Sequence, residues 1–405
     1  MNSAVGQKRK FESTNVVKSD VFLLTTRKHL DHHASFCAVL HRTHNQCPVW
    51  VCWFAGAYEG SADTSVYASP LPFPFFSHAQ SNLTEQLPLR LTNDGVHSEQ
   101  NPVLFERGER LFLFYTRVRP KVAHHFQSGS SRIMMAYTDT GDVRNLCTNH
   151  RELNINCAYP LNGLWTRHTA YTNEHDVLIL PAYSERSGRS VSVMLSSKNN
   201  GVTWAAHELE TSECRVQLCV VPSALCANTF VAFSRSRQGD RVYRATSLDG
   251  IHFTPFEPTV LPNNNSGIAA ITVGHLIVMA YNPTAHFDEP RSVRIERGPR
   301  GGIKVPKEDR KWKCAQRYPL CVSYSSDDGI TWSPPKLVHT LLEGTKMPST
   351  PTDCTKKLRC SGVPEYSYPS LAFSSYDNHF HLTFTHNRSE IAYTYFNMDW
   401  LLGDV

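Results

Sequence analysis

One turn is written into this sequence four times. Ser325-Ser326-Asp327-Asp328-Gly329-Ile330-Thr331-Trp332 has the form Ser-x-Asp-x-Gly-x-Thr-Trp, and Ser197-Lys198-Asn199-Asn200-Gly201-Val202-Thr203-Trp204 repeats it with Asn in the Asp place. Ser247-Leu248-Asp249-Gly250-Ile251-His252-Phe253 is a shortened copy ending in Phe, and Tyr137-Thr138-Asp139-Thr140-Gly141 is a degraded fourth. Each copy has the chemistry of a hairpin turn. Asp or Asn accepts backbone hydrogen bonds, Gly takes the positive φ, and Ser ties the incoming strand to the turn. The terminal aromatic is expected to pack between neighbouring sheets. These residues are a folding device rather than a reactive centre. Because each copy follows a β-rich run, the chain must be built from repeated hairpin units.

The rest of the sequence agrees. Val49–Phe54, Arg110–Tyr115, Arg132–Tyr137, Asp176–Leu180, Val191–Leu195 and Thr229–Phe233 read as strands, as do Leu276–Tyr281, Leu320–Tyr324, His379–Thr385 and Glu390–Phe396. Most are short, rich in Val, Ile, Phe and Tyr, and bounded by Gly, Asn, Asp or Pro. No amphipathic helix of three turns is seen, and 24 prolines are scattered along the chain. The fold class is all-β. A chain of 405 residues would ordinarily suggest two or three domains, but a barrel or propeller can use that length in one. We expect a disordered tail over residues 1–20 and one domain over 21–405. Polar segments at Pro290–Lys313 and Glu343–Gly362 read as long surface loops, the first of them basic.

Composition excludes other classes. A net charge of +5 spread over this length argues against nucleic-acid binding. No stretch of 18 apolar residues occurs, so no membrane span is expected. Residues 1–20 lack the apolar core of a signal peptide, and a cytoplasmic location follows as the expectation. The 12 cysteines include no Cys-x-x-Cys pair, so they are expected to be reduced thiols rather than zinc ligands. His379 and His381 share one strand face, but no third ligand accompanies them. No metal and no cofactor is expected.

The repeated turns are similar to the Asp-box repeats of sialidases and their relatives. Further stretches resemble the sialidase-like BNR-repeat family in chain order, from His32-His33-Ala34-Ser35-Phe36 and Trp53-Phe54-Ala55-Gly56 to Tyr366-Ser367-Tyr368-Pro369-Ser370-Leu371. The resemblance covers roughly residues 25–401 and implies a six-bladed β-propeller of sialidase type. It also implies a Tyr nucleophile helped by a Glu, an Asp acid/base and three arginines gripping a substrate carboxylate. That chemistry is coherent, since a neutral Tyr avoids the repulsion that a carboxylate nucleophile would meet at an anomeric carbon already bearing a carboxylate. Arg offers bidentate contacts to the carboxylate.

Carried over position by position, the resemblance makes Tyr368 the nucleophile, Asp63 the acid/base, and Arg235 and Arg317 two of the carboxylate-binding arginines. Two positions depart. The first arginine's place reads Asp31-His32-His33-Ala34-Ser35-Phe36, with Arg27 several residues too early, so His32 or His33 is the expected substitute. The Glu that should activate the Tyr falls near Gln217 or Val220. Glu365, close to Tyr368, and Glu59 and Glu185 are the remaining candidate carboxylates, none of them at the family's position. The implied function is an exo-α-sialidase-type hydrolase acting on a terminal sialic acid or related acidic sugar. The alternatives are a catalytically degenerate propeller that binds carbohydrate, or a hydrolase or lyase for another sugar using His33. The expected partner is a sialoglycoconjugate or other carbohydrate, with no nucleic acid and no membrane, and the protein is expected to be a monomer.

Overall fold

The computed structural model describes residues 17–25, 31–41, 49–71, 88–121, 125–127, 129–157, 162–186, 189–285, 296–297, 303–304, 317–340 and 364–403. Arg27, most of the tail before residue 20, and nearly all of both long polar loops lie outside them.

Six antiparallel sheets follow one another along the chain and form a ring of blades, a β-propeller. The first blade runs Asp31–Val39, Val49–Gly56, Ser65–Pro70 and Leu89–Arg90; the second runs Ser98–Arg107, Arg110–Val118, Arg132–Thr138 and Arg151–Glu152. The third is built on Leu164–Thr166, Leu178–Arg186, Arg189–Ser197 and Trp204–Glu208, with Ile155–Asn156 added in parallel at its outer edge. Arg215–Pro222, Phe230–Ser236, Arg241–Ser247 and Glu257–Pro262 make the fourth. The fifth comprises Ala269–Val273, Leu276–Tyr281, Leu320–Ser325 and Lys336–His339. The last joins Tyr366–Ser374, His379–His386 and Glu390–Asn397 to Phe22–Leu23 from the start of the chain. Lys18 bridges Phe396 and the Ser19 amide donates to the Tyr395 carbonyl, so pairing of the first chain segment begins upstream of residue 21.

The sheets are two-faced and bury both faces against their neighbours, which is why the strands read as apolar runs. One core cluster spans the first three blades, and others join the third to the fourth, the fourth to the fifth, the fifth to the sixth and the sixth to the first. The repeated turns sit at these junctions. In the fifth blade, Ser325 Oγ donates to Asp327, accepts from the Gly329 amide, and Asp327 accepts from the Thr331 amide at 2.8 Å. Trp332 donates from its indole to the Gly329 carbonyl and meets Phe233 of the preceding blade edge-on at 5.6 Å. Trp204 repeats this against Phe114 of the second blade. Trp204 is fully buried whereas Trp332 is only partly so, a shallower position than its place in the motif suggests.

The inner strands Asp31–Val39, Ser98–Arg107, Arg215–Pro222 and Tyr366–Ser374 share a local defect. Each slips register near its start, and the slip holds a non-glycine residue at positive φ: Ala34 (50°), Asn101 (52°), Gln217 (56°) and Tyr368 (53°). Such bulges re-aim a side chain and end pairing. Here they recur around the ring, and three of the four, at Ala34, Gln217 and Tyr368, lie at the site.

Candidate functional site

Tyr368 is the centre of a cluster drawn from all blades but the second. A residue before proline prefers extended backbone, so a tyrosine at φ 53° followed by Pro369 is strained by about 1–3 kcal/mol. The fully buried Arg167, from the third blade, offsets that strain from beneath. Its guanidinium donates to the carbonyls of Tyr368 and Pro369 at 3.1 Å each and to the Ser35 carbonyl of the first blade at 3.0 Å. Burial lowers the Arg167 pKa to about 10, which leaves it a cation at neutral pH. Gly267 lies against the tyrosine ring, where a Cβ would come within 3.3 Å of it.

The phenol oxygen accepts from Arg235 Nη1 at 2.7 Å. Arg235 projects from Phe230–Ser236 and is oriented by neutral partners: Nη1 also donates to the Gln217 amide oxygen at 3.0 Å, and Nε donates to Asn265 at 2.8 Å. Gln217 in turn donates to the Tyr183 hydroxyl. The guanidinium carbons of Arg167, Arg235 and Arg317 lie 5.4, 5.6 and 5.6 Å from the Tyr368 ring centroid. Burial alone would raise the phenol's pKa, but Arg235 and Arg317 outweigh it and bring it down to about 8.

A second layer is ionic. Glu365 accepts from Arg317 Nη1 at 2.9 Å, from Arg388 Nε at 3.0 Å and from Ser367 Oγ at 2.7 Å. Burial would raise its carboxyl, but Arg388 and Arg317 hold it well below the usual carboxylate range. Glu365 is therefore a fixed anion that aligns two arginines, which is not the state of a group that trades protons near neutral pH. Arg388 also donates to Glu59, whose own amide donates to Asp31.

Arg388 went unread in the sequence. It sits in the tight turn between His379–His386 and Glu390–Asn397, where Asn387 and Arg388 both take positive φ, 52° and 58°. Its carbonyl accepts from the His32 amide at 2.8 Å, which locks the turn of the last blade onto the first. An arginine thus reaches the region where the first blade supplies none, but from the far end of the chain. No spacing rule finds such a residue; its mark in the sequence is an Asn-Arg pair between two strong strand runs.

The histidines behave differently from the expectation that one would stand in as a cation. His33 is buried against Tyr368, with ring centroids 4.3 Å apart, and its Nδ1 bonds to Thr385 Oγ1. Burial first, and Arg388 next, lower its pKa well below the ordinary value, so it stays neutral. His32 lies on the opposite strand face beside Trp53. Asp63 closes the turn after Val49–Gly56, accepting from the Ala57 amide and from Ser61 Oγ, and pairs with no cation among the described residues. His379 and His381 flank Asp377 in the last blade, where His381 bonds to the Tyr393 hydroxyl; no metal-ligating group is found among the described residues.

A ring of six blades like this one has counterparts among solved structures. The chain resembles the Hadza microbial sialidase Hz136 with a TM-score of 0.63 at 10% identity, covering 92% of this chain and 66% of that one. It resembles the NanB sialidase of Streptococcus pneumoniae with a TM-score of 0.61 at 10% identity, covering 95% and 71%. Trypanosoma rangeli sialidase, solved as a covalent intermediate with 2,3-difluorosialic acid, gives 0.57 at 10% identity, covering 90% and 53%. The chain thus spans between about half and 71% of these proteins' lengths, and at such identity the likeness is one of fold. No curated protein matches the sequence. The profile of the BNR repeat-like domain matches residues 49–382, most of the chain, and the protein belongs to that family.

Proposed function

We propose that this protein is a retaining glycoside hydrolase of sialidase type, acting on a terminal sialic acid or related acidic sugar. The observation that carries this reading is the Tyr368 hydroxyl, held by Arg235 at 2.7 Å within a ring of arginines. In this reading Tyr368 attacks the anomeric carbon. Arg235, Arg317 and Arg388 bind the substrate carboxylate. Each guanidinium carries five donors. Arg235 and Arg388 commit Nε and Nη1 to the contacts above and, among the described residues, Nη2 of neither is used, so Nη2 of both is offered to a ligand. Asp63 protonates the leaving oxygen. It suits that role better than Glu59, which is tied to Arg388, or Glu365, which is tied to two arginines.

One observation favours a second reading, a propeller that binds sugar without cleaving it: Glu365 and Glu59 already partner two of the three arginines. Turnover of a fluorogenic sialoside, beside a panel of uronosides and neutral glycosides, separates the two. Activity on an acidic glycoside that Tyr368→Phe reduces at least about 1,000-fold supports hydrolysis, since the variant loses the covalent route. Binding without turnover on any member of the panel supports the second reading.

A further inference from the structure

We infer that Tyr368 is made reactive by arginine and not by a general base: Arg235 stabilises its phenolate directly, and Gln217 is a positioning residue that keeps Arg235 on the phenol oxygen. The inference rests on the reading of Tyr368 as the nucleophile and replaces the glutamate assistance which the resemblance implies.

The hydrogen-bond pattern carries it. A guanidinium only donates, so the 2.7 Å contact from Arg235 uses a lone pair of the phenol oxygen and strengthens when the proton leaves. The phenol's own hydrogen finds no side-chain acceptor among the described residues. The resemblance puts the activating glutamate near Gln217 or Val220: Val220 has no side-chain acceptor, and the Gln217 amide oxygen faces Arg235 at 3.0 Å while its amide nitrogen is spent on Tyr183. Gln217 sits at a bulge with φ 56°, so its aim is set by the backbone. A glutamate in its place would pair with Arg235 and draw positive charge away from the phenol.

The surroundings of the ring favour the anion from several sides. Arg167 lies beneath, Arg235 and Arg317 flank it, and Arg388 adds a further positive charge. Of the groups opposing them, Glu59 acts on the phenol directly, while Glu365 is neutralised by Arg317 and Arg388. His33 is neutral, and burial pushes the neighbouring Tyr183 up. The phenol at about 8 is consistent with that balance.

In the reaction the phenol first gives its proton to solvent. The phenolate then attacks the anomeric carbon as the glycosidic C–O bond breaks, and the leaving oxygen takes a proton from Asp63. Water next attacks the same carbon and yields a proton to Asp63, and the tyrosyl C–O electron pair returns to phenolate.

Ultraviolet difference titration reads the phenolate without substrate. Subtracting the Tyr368→Phe curve from the wild-type curve should leave one tyrosine ionising at about pH 8, against about 10 for an ordinary tyrosine. Burial moves Tyr115, Tyr171 and Tyr281 upward, so the window is clear of these buried tyrosines. Arg235→Gln should move the midpoint above 8, and Arg235→Lys should restore part of the shift. Gln217→Glu decides the matter even if the Arg235 variants fail to fold. Arginine activation predicts a higher midpoint and slower turnover, whereas base activation predicts faster turnover. A difference titration at or above about pH 10 overturns the inference, as does a faster Gln217→Glu enzyme. Glycoside turnover with an ordinary Tyr368 midpoint would sink this inference alone. A midpoint near 8 with no turnover of any glycoside would sink the proposed reaction alone.

Discussion

Glu365 and His33 stand within one cluster and end in opposite states, and each makes a prediction. Glu365 is held ionised by Arg388 and Arg317 against its own burial. Its folded pKa is depressed, so the stability it contributes is complete above the unfolded carboxyl value near ~4.3 and is lost as pH falls through the folded value. Glu365→Gln should destabilise the protein at pH 7 by about 1–3 kcal/mol, toward the low end for a partly buried pair, and should flatten the acid limb of the stability curve. Denaturant unfolding at a series of pH values measures both. An unchanged acid limb would mean that Glu365 does not carry the charge assigned to it. His33 is buried and held neutral, well below the ordinary imidazole value, so affinity for an acidic sugar measured between about pH 5 and 8 should not fall through imidazole deprotonation. Binding that weakens steeply over that range would restore the histidine as a cation. The sequence marked Tyr368, Arg235 and Arg317 because they lie at strand ends in recognisable stretches. It gave no sign of Arg167 or Arg388, whose roles arise from contacts with residues 132 and 329 positions away.

At the level of elements, the strands legible in the sequence are the central ones of each blade. Val49–Gly56, Arg110–Val118 and His379–His386 are buried along nearly their whole lengths and therefore read as plain apolar runs. The inner strands were less legible as strands for a physical reason. They place polar residues such as His33, Gln100 and Ser367 among apolar ones, and their bulges interrupt the alternation, twice next to a proline at Pro102 and Pro369. The repeated turns are structural, their Ser, Asp and Trp side chains spent on hydrogen bonds within the turn. Trp204→Ala should cost about 3–5 kcal/mol, while the half-buried Trp332 should cost about 1–2. Gly329→Ala should be more damaging than its size suggests. Gly329 has φ 84°, and an added Cβ would lie 2.6 Å from Phe233 of the preceding blade. Thermal unfolding of the three variants tests the ranking; a Gly329→Ala protein as stable as wild type would contradict the packing described.

For the molecule as a whole, the ring is closed by the two ends of the chain. Phe22–Leu23 pairs with Glu390–Asn397, and the same blade carries Tyr368, Glu365 and Arg388. Removing residues 1–25 should leave Glu390–Asn397 as a bare edge, lower the melting temperature and loosen the site, because an unpaired edge strand loses its hydrogen bonds and invites association. Calorimetry with light scattering would detect it, and an unaltered melting temperature would argue that closure contributes little. The central claim is that this closed ring presents Tyr368 as a nucleophile, and covalent trapping tests it most directly. The protein is incubated with 2,3-difluorosialic acid, the compound found as a covalent intermediate in Trypanosoma rangeli sialidase, and then analysed by intact mass and peptide mapping. The account predicts a single adduct on Tyr368 that is absent from Tyr368→Phe. An adduct on another residue, or none on the wild-type protein, would contradict it.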